Sequence, residues 1–349
     1  MYMKAVPMRC PVCMEPMQDG ENSCSFCSYF SSFSSGWNIL PLTPSPDVPF
    51  YGGAQLRSTY FGSVYLGYST RMKRKVVLKQ YEPFPMLLKK AGGFEPHPGD
   101  EDAFRRASET LEAEASALSK IFIPGTEHVY GSFRARGTVY LVAEYIPGFD
   151  MSQITIFDLM KIKPELFPAN KLEKKYPSLA LYRLFRPILL ALREMHSIGI
   201  YHRNIEASSI LFDTEHPRLV LANLGTKEAH SCHNTISSAV EFFNDFCPHF
   251  RGAMTPAQED IYAICNVFYH LMTGTLLPWH CKKPADIPSP PIPQAVLNVL
   301  EMGSPDPFPD GFNVPMPRIP AFSDMDQLIA QMDAAFEYLA LQENQNNQR

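Results

Sequence analysis

The chain has 349 residues, of which 45% are apolar and 19% charged, and its formal net charge is −5 at pH 7. This apolar share supports a sizeable core and excludes a disordered or fibrous chain. The mildly acidic balance argues against broad nucleic-acid binding through counterion release. No run of 18 apolar residues and no signal-peptide pattern occur, so the sequence predicts a cytoplasmic protein without a membrane segment.

Four cysteines lie within the first 27 residues as two CxxC pairs, Cys10 with Cys13 and Cys24 with Cys27. One CxxC turn places two thiolates on one side of a metal, and two such turns complete the tetrahedral shell that zinc prefers. Disulfides are disfavoured in the cytosol, and a redox motif needs only one pair. The sequence therefore predicts a small module over 1–35 that folds around a structural zinc ion.

The segment between the two CxxC pairs, MEPMQDGENS, has three acidic residues and no lysine or arginine. Because phosphate contacts require basic groups, a protein contact or a purely structural role is favoured over nucleic-acid binding. The pattern resembles the zinc ribbons that begin many bacterial multidomain proteins. The glycine that often follows each CxxC of such ribbons is replaced here by Met14 and Ser28.

A proline-rich segment follows the cysteine module. Four prolines in nine residues predict a semi-rigid linker over 36–50. Beyond it, runs rich in β-formers predict strands over 73–81 and 138–146.

Helical patterns occupy the later part of the chain. Apolar spacing predicts helices over 181–196 and over 256–273, the second with a capping box before it and a glycine after it. A third helix is predicted to start at Ser323. The eleven prolines within 284–320 predict mostly loop, and 343–349 read as a polar tail.

Several motifs then occur in a fixed order within residues 51–342. They are VVLK ending at Lys79, LEAEASALSKI, YLVAEYIPG, YHRNIEASSILFD, LANLG, CPH and a helix containing Asp260. In this order they resemble the lysine strand, helix αC, hinge, catalytic loop, DFG segment, APE motif and helix αF of protein kinases. The resemblance implies an α+β, bilobal kinase-like fold behind the zinc ribbon, with a β-rich N-lobe over about 51–146 and a helical C-lobe over about 147–342.

The resemblance also implies which residues would meet a nucleotide. Lys79 would contact phosphates and pair with an acid of helix αC. Glu114 is chosen over Glu112 for that pair, because apolar residues follow Glu114 at the family's spacing. The backbone of Glu144 and Ile146 would face an adenine.

The glycine-rich loop is degraded. With Gly62 and Val64 aligned to its end, Arg57 and Thr59 replace the first two glycines, which hinders close approach of the backbone to phosphates. In the adenine pocket that the resemblance implies, Val77 would narrow the space and Ala143 would deepen it.

The positions that carry kinase chemistry are also replaced. Asn204 stands where the catalytic base is an aspartate, and Glu206 where the loop has a lysine. Ser209 and Asn223 replace the two residues that hold Mg²⁺, and a hydroxyl and a neutral amide make a poor magnesium site. The resemblance therefore implies no catalytic residue at Asn204, Glu206, Ser209 or Asn223.

A second group of potential metal ligands follows the LANLG motif: His230, Cys232, His233, Cys247 and His249. They could supply zinc ligands, or they could simply lie in an activation segment, since no tight CxxC or HxxxH turn is present.

Three functions stay open from the sequence. The leading one is a catalytically inactive kinase-like protein, or pseudokinase, that binds protein partners as a scaffold or regulator, holds zinc, and binds ATP weakly and without need of Mg²⁺. The second is an enzyme of the same fold with residual or altered phosphoryl or nucleotidyl transfer. The third is a nucleic-acid-associated regulator that acts through the ribbon.

Overall fold

The computed structural model describes residues 9–18, 21–28, 38–59, 62–83, 86–167, 175–224, 254–274, 292–303 and 320–346. They form two compact units. The first contains the described residues up to 122 together with 127–145, and the second contains 123–126, 146–224 and the described residues from 254 onward.

An antiparallel five-stranded sheet dominates the first unit, in the order β1-β2-β3-β7-β6. Its strands are β1 (Phe50–Thr59), β2 (Gly62–Ser69), β3 (Arg74–Gln80), β6 (Val129–Ala135) and β7 (Thr138–Glu144). A hairpin of β4 (Leu87–Lys90) and β5 (Gly93–Pro96) and the helix α1 (Glu101–Leu118) complete the unit. The two strands predicted from the sequence are β3 and β7, and both are confirmed.

The sheet registers place the nucleotide-associated positions opposite one another. Val64 on β2 lies opposite Lys79 on β3, and Val77 lies opposite Ala143 on β7. Val77, which is larger than the alanine of the kinase motif, and the small Ala143 are therefore direct cross-strand neighbours. At such positions a larger side chain on one strand is most readily accommodated by a smaller one on the other.

The predicted linker differs from a free spacer. The Leu40 N–H donates to the Gly53 carbonyl at 2.9 Å, and the Gly52 N–H donates to the Leu42 carbonyl at 3.0 Å. Both leucines are buried in one apolar cluster with residues of the sheet, namely Phe50, Tyr65, Val76, Leu78, Tyr140 and Val142. The prolines keep this segment extended, and its leucines bury apolar surface worth about 2 kcal/mol each against the sheet.

The second unit is mainly helical. Its helices are α2 (Ile156–Ile162), α3 (Pro177–Ser197), α4 (Pro256–Thr273), α5 (Gln294–Gly303) and α6 (Met325–Asn346). Its small sheet is ordered β10-β9-β8, with β8 (Gly148–Asp150), β9 (Ile210–Asp213) and β10 (Arg218–Leu221). No helix of the described residues has both the length and the apolar character needed to cross a membrane.

The three helices predicted from the sequence are confirmed as α3, α4 and α6. Thr255 and Gln258 form the capping box that starts α4, and Gly274 ends it in the left-handed conformation, with φ 74°. Two elements add to the predictions: α5 lies inside the segment predicted as mostly loop, and α6 extends to Asn346, into the predicted polar tail.

Candidate functional site

The four N-terminal cysteines converge in the first unit. Their sulfur atoms all lie within 4.8 Å of one another, with Sγ–Sγ distances of 3.6 Å for Cys10–Cys27 and for Cys13–Cys24. All four are free thiols. Four sulfurs about 2.3 Å from one zinc ion stand about 3.8 Å apart, so this arrangement fits a tetrahedral zinc site.

Burial and backbone N–H groups shift the pKa values of these thiols in opposite directions. Burial raises the pKa of Cys10 and of Cys13. At Cys24 burial also acts upward, but the backbone N–H groups of Cys27 and Phe26 outweigh it and the pKa falls to about 7. Turns that present N–H groups to sulfur favour the thiolate that a metal requires.

The residue after each CxxC adopts the backbone conformation that usually selects glycine. Met14 has φ 62° and Ser28 has φ 58°. Each closes its turn with a hydrogen bond back to the first cysteine, Met14 N–H to the Cys10 carbonyl at 2.8 Å and Ser28 N–H to Cys24 at 2.9 Å. The missing glycines therefore leave the turn geometry intact, at the cost of left-handed backbone at two ordinary residues.

The first CxxC turn docks on strand β1. The Ala54 N–H donates to the Pro11 carbonyl at 2.6 Å, and Met14, only 1% exposed, lies over Gly53. A Cβ atom at Gly53 would stand 2.2 Å from the Met14 methyl and 2.6 Å from the Pro11 oxygen. Gly53 therefore permits the close approach of the cysteine module to the sheet.

Two charged contacts flank this junction. Arg9 lies over the ring of Tyr68 on β2, 3.3 Å from its centroid, and Glu15 pairs with Lys75 on β3 at 2.8 Å. Both are partly exposed, so each is worth about 1 kcal/mol or less. Their value lies in fixing the orientation of the module on the sheet.

Lys79 forms a buried ion pair, but not with the predicted partner. Its ammonium donates to the carboxylate of Glu127, which precedes β6. The two side chains are 2% and 3% exposed. Desolvation lowers the pKa of Lys79, and the Glu127 carboxylate offsets this only in part.

The prediction that Glu114 pairs with Lys79 is therefore wrong. Glu114 lies half-buried on α1, whereas the neighbouring Glu112 receives two hydrogen bonds from Arg134 on β6, at 2.7 and 2.6 Å. The Glu112–Arg134 pair ties α1 to β6. Sequence spacing singled out the αC-like acids and gave no sign of Glu127, which a loop brings to β3.

The other predicted nucleotide positions are distributed as follows. Gly62 starts β2 opposite Thr59, and a Cβ there would stand 2.1 Å from the Gln80 carbonyl oxygen, so this position requires glycine. Val64 is buried, and Glu144 ends β7. Ile146 is buried and belongs to the second unit.

The loop that contains His202 and Arg203 is braced by Asp260 of α4. The Asp260 carboxylate accepts the N–H of His202 at 2.8 Å and that of Arg203 at 2.6 Å, and it contacts His196 Nε2 at 2.9 Å. Arg203 has φ 58°, and these charge-assisted hydrogen bonds hold it there. The predicted bracing role of Asp260 is confirmed.

Three of the replaced catalytic positions meet in one hydrogen-bonded group. The Ser209 hydroxyl donates to the main-chain carbonyl of Asn204 at 3.2 Å, and the Asn223 side-chain amide donates to the Ser209 hydroxyl oxygen at 3.4 Å. Ser209 is 1% exposed. The fourth, Glu206, is exposed and accepts from Ser208 at 3.2 Å. The side chains of Ser209 and Asn223, held on the backbone of Asn204, therefore bring together a hydroxyl and an amide that carry no charge.

The second group of potential metal ligands lies outside the described residues, as do the CPH motif and the glycine of LANLG.

No family model matches the chain. Among curated proteins it is 25% identical over 244 residues to the serine/threonine-protein kinase PknD of Chlamydia pneumoniae, which covers 64% of this chain and 24% of PknD. The chain spans less than half the length of this and other curated kinases that it matches.

Solved kinase structures share the fold. The apo form of PpkA-294 superposes with a TM-score of 0.56 at 17% identity, over 84% of this chain and 100% of that one. The PknI kinase domain of Mycobacterium tuberculosis gives 0.50 at 18% identity, over 84% and 100%. The protein therefore has a protein kinase-like fold, preceded by a cysteine cluster consistent with a zinc ribbon.

Proposed function

We propose that this protein is a catalytically inactive kinase-like protein that acts through protein contacts, with a zinc-stabilised N-terminal module. The observation that carries the proposal is the Asn204–Ser209–Asn223 group. Its members stand where the kinase resemblance implies a base and two magnesium ligands, yet none is a carboxylate. Loss of a general base alone costs about 10²–10⁴ in rate.

The scaffold around this group is kept. Asp260 still holds the backbone of His202 and Arg203, and His202 still contacts the Ala222 carbonyl at 2.8 Å. The sequence preserves the bracing aspartate and replaces the groups that would react. This combination supports a role for the fold that does not depend on catalysis.

The test is the metal dependence of ATP binding. Because Mg²⁺ needs oxygen ligands of high charge, any ATP-induced rise in melting temperature is expected to be the same with Mg²⁺ and with EDTA. The matched variant carries Asn223→Asp, which restores one carboxylate and is expected to introduce metal dependence. A melting shift of the unaltered protein that requires Mg²⁺ would contradict the proposal.

The metal of the cysteine module is proposed to be zinc, held by Cys10, Cys13, Cys24 and Cys27. The sulfur–sulfur distances and the two N–H-rich turns support it, and a reducing compartment such as the cytoplasm keeps the thiols available. Elemental analysis should give one equivalent of zinc per chain. Less than half an equivalent after gentle purification would count against it.

A protein partner is proposed to contact the second CxxC turn. Phe26, between Cys24 and Cys27, is 69% exposed, in contrast to the first turn, which faces the sheet. Phe26→Ala should reduce partner capture by the intact chain without lowering the melting temperature, with Ser25→Ala as the matched control. Equal capture by both variants would rule out this surface.

A second candidate function is residual phosphoryl transfer. It is favoured by the retained Lys79 and by the relatives named as serine/threonine kinases.

A further inference from the structure

We infer that a polar cavity of the second unit binds the guanidinium group of an arginine side chain on a protein partner. The inference rests on the proposed function, since it names the chemistry of one partner contact. The cavity lies between the end of α3, the start of α4 and the residues that begin α6, all in the second unit. Its volume of about 640 Å³ is typical of ligand sites.

His196 gives the cavity a buried polar group that lacks a hydrogen-bond partner. The side chain lines the cavity and is only 9% exposed. Its Nε2 contacts the Asp260 carboxylate at 2.9 Å. Because a carboxylate accepts, Nε2 carries the proton, and Nδ1 of the neutral ring is an acceptor. Nδ1 has no partner among the described residues, and a donor that enters the cavity supplies the missing hydrogen bond.

The charged side chains of the cavity favour a cation. Glu194, Asp324 and Asp326 line it, against a single basic residue, Arg193. Arg193 and Asp326 offset each other at 3.6 Å. The Glu194 carboxylate forms no ion pair or hydrogen bond within the described part of the chain, and the end of α3 adds the negative pole of a helix dipole. The cavity therefore attracts positive charge.

Two other kinds of ligand fit less well. A metal ion needs ligand atoms that converge, and among the described residues only the four cysteines do so. An anion would need free N–H groups at the start of α6. There Asp324 already accepts the Gln327 N–H, at 3.0 Å, and its own charge repels an anion.

The shape of the acceptor set favours arginine over lysine. The acceptors lie on different elements, and a guanidinium presents five N–H donors in a planar fork, whereas an ammonium is a compact point charge. Tyr201 adds an aromatic ring to the lining, on which a guanidinium stacks. Glu194 and Asp326 are exposed, so an arginine on the surface of another protein can reach the cavity.

The experiment is an NMR titration of the intact chain that follows the ¹⁵N shift of His196 Nδ1. The probes are a blocked Gly-Gly-Arg-Gly-Gly pentapeptide, the same peptide with citrulline in place of arginine, and the same peptide with lysine. The arginine peptide should move the Nδ1 resonance and bind at least fivefold more tightly than the other two. Equal binding of the arginine and citrulline peptides, or no binding of either, would overturn the inference. Equal binding of the lysine peptide would overturn the choice of a guanidinium.

Two variants remove single charges from the cavity. Glu194→Gln and Asp324→Asn should each weaken the arginine peptide about threefold to fivefold, and an asparagine at 324 keeps the oxygen that caps α6. Glu337→Gln removes an exposed acid of α6 that does not line the cavity, and it should leave the affinity unchanged. Equal weakening by Glu337→Gln would reduce the binding to general charge attraction and overturn the inference.

Agmatine, a small free guanidine, distinguishes the two sources of this group. The peptide should bind more tightly than agmatine, because a protein segment also contacts the rim of the cavity. The reverse order would overturn the assignment to a protein partner. The proposed function fails by a different result, namely phosphate transfer catalysed by the unaltered protein, so the two failures are distinguishable.

Discussion

Ala54, on the edge strand β1, donates its N–H to the carbonyl of Pro11, which lies inside the first CxxC turn, at 2.6 Å. The first CxxC turn and the sheet are thus hydrogen-bonded to each other. Met14, buried over Gly53, adds apolar contact at the same junction. If the linker were the only connection, unfolding of the cysteine module would leave the sheet unaffected. Because of this junction, the stability of the sheet depends on the module.

Loss of a metal ligand should therefore weaken the sheet. Cys10→Ser is expected to speed hydrogen exchange of the β1 and β2 amides, because the turn that docks on β1 loses its metal-dependent structure. Ser25→Ala, an exposed change in the second CxxC turn, is the control. Unchanged exchange in β1 after Cys10→Ser, with zinc absent, would show that the module and the sheet are independent.

The left-handed backbone at Ser28 offers a stabilising change. Ser28→Gly should raise the stability of the cysteine module by up to about 1 kcal/mol, because glycine adopts φ near 58° without steric cost. The readout is resistance of the bound metal to a competing chelator. Ser25→Gly, where φ is not positive, should give no gain, and an equal gain there would assign the effect to something other than backbone strain.

Asp260 should matter more for stability than its neighbour Glu259. Asp260→Asn is expected to cost about 3 kcal/mol of unfolding free energy, since two backbone N–H groups and His196 lose a buried anionic acceptor. Glu259→Gln removes the charge of a partly exposed pair with Arg203 at 3.2 Å and should cost about 1 kcal/mol or less. Denaturant unfolding of both variants provides the comparison.

The contact between α3 and α6 should give a defined pH dependence. Asp333 accepts two hydrogen bonds from Arg186, each at 2.8 Å, and this guanidinium lowers the pKa of Asp333. The folded pKa lies below the unfolded value of about 3.9. The stabilisation is therefore complete above about pH 5 and is lost as the pH falls through the folded pKa.

Asp333→Asn should accordingly lower stability by about 1 kcal/mol at pH 7, a value that allows for partial exposure. The deficit should shrink below about pH 4. Asp326→Asn tests the more exposed pair between the same helices, Arg193 with Asp326 at 3.6 Å. A deficit for Asp333→Asn that persists unchanged at pH 2 would contradict the ion-pair explanation.

Sequence reasoning succeeded where a local pattern determines the structure. The two CxxC spacings predict the cysteine cluster, and capping signals at Thr255 and Gly274 predict the ends of α4. It failed where the outcome depends on contacts distant in the chain. The prolines around α5 indicated loop, whereas the segment contains a ten-residue helix that is stabilised by burial of residues such as Leu300.

The same dependence on distant contacts determines which features of the candidate site could be predicted from the sequence. Residue identity alone shows that Asn204, Ser209 and Asn223 carry no carboxylate, whatever their exact positions. The partner of Lys79 could not be predicted in this way. The path of the backbone between α1 and β6 determines whether Glu112, Glu114 or Glu127 reaches the ammonium group. No spacing rule carries that information.

The central claim is tested most directly by phosphate transfer from γ-labelled ATP, measured on the intact chain with Mg²⁺ or Mn²⁺. The chain itself and a generic protein substrate serve as acceptors. Loss of the base and of the metal ligands predicts no transfer above the level of a Lys79→Met control. Transfer by the unaltered protein that Lys79→Met abolishes would contradict the account and identify the protein as an active kinase.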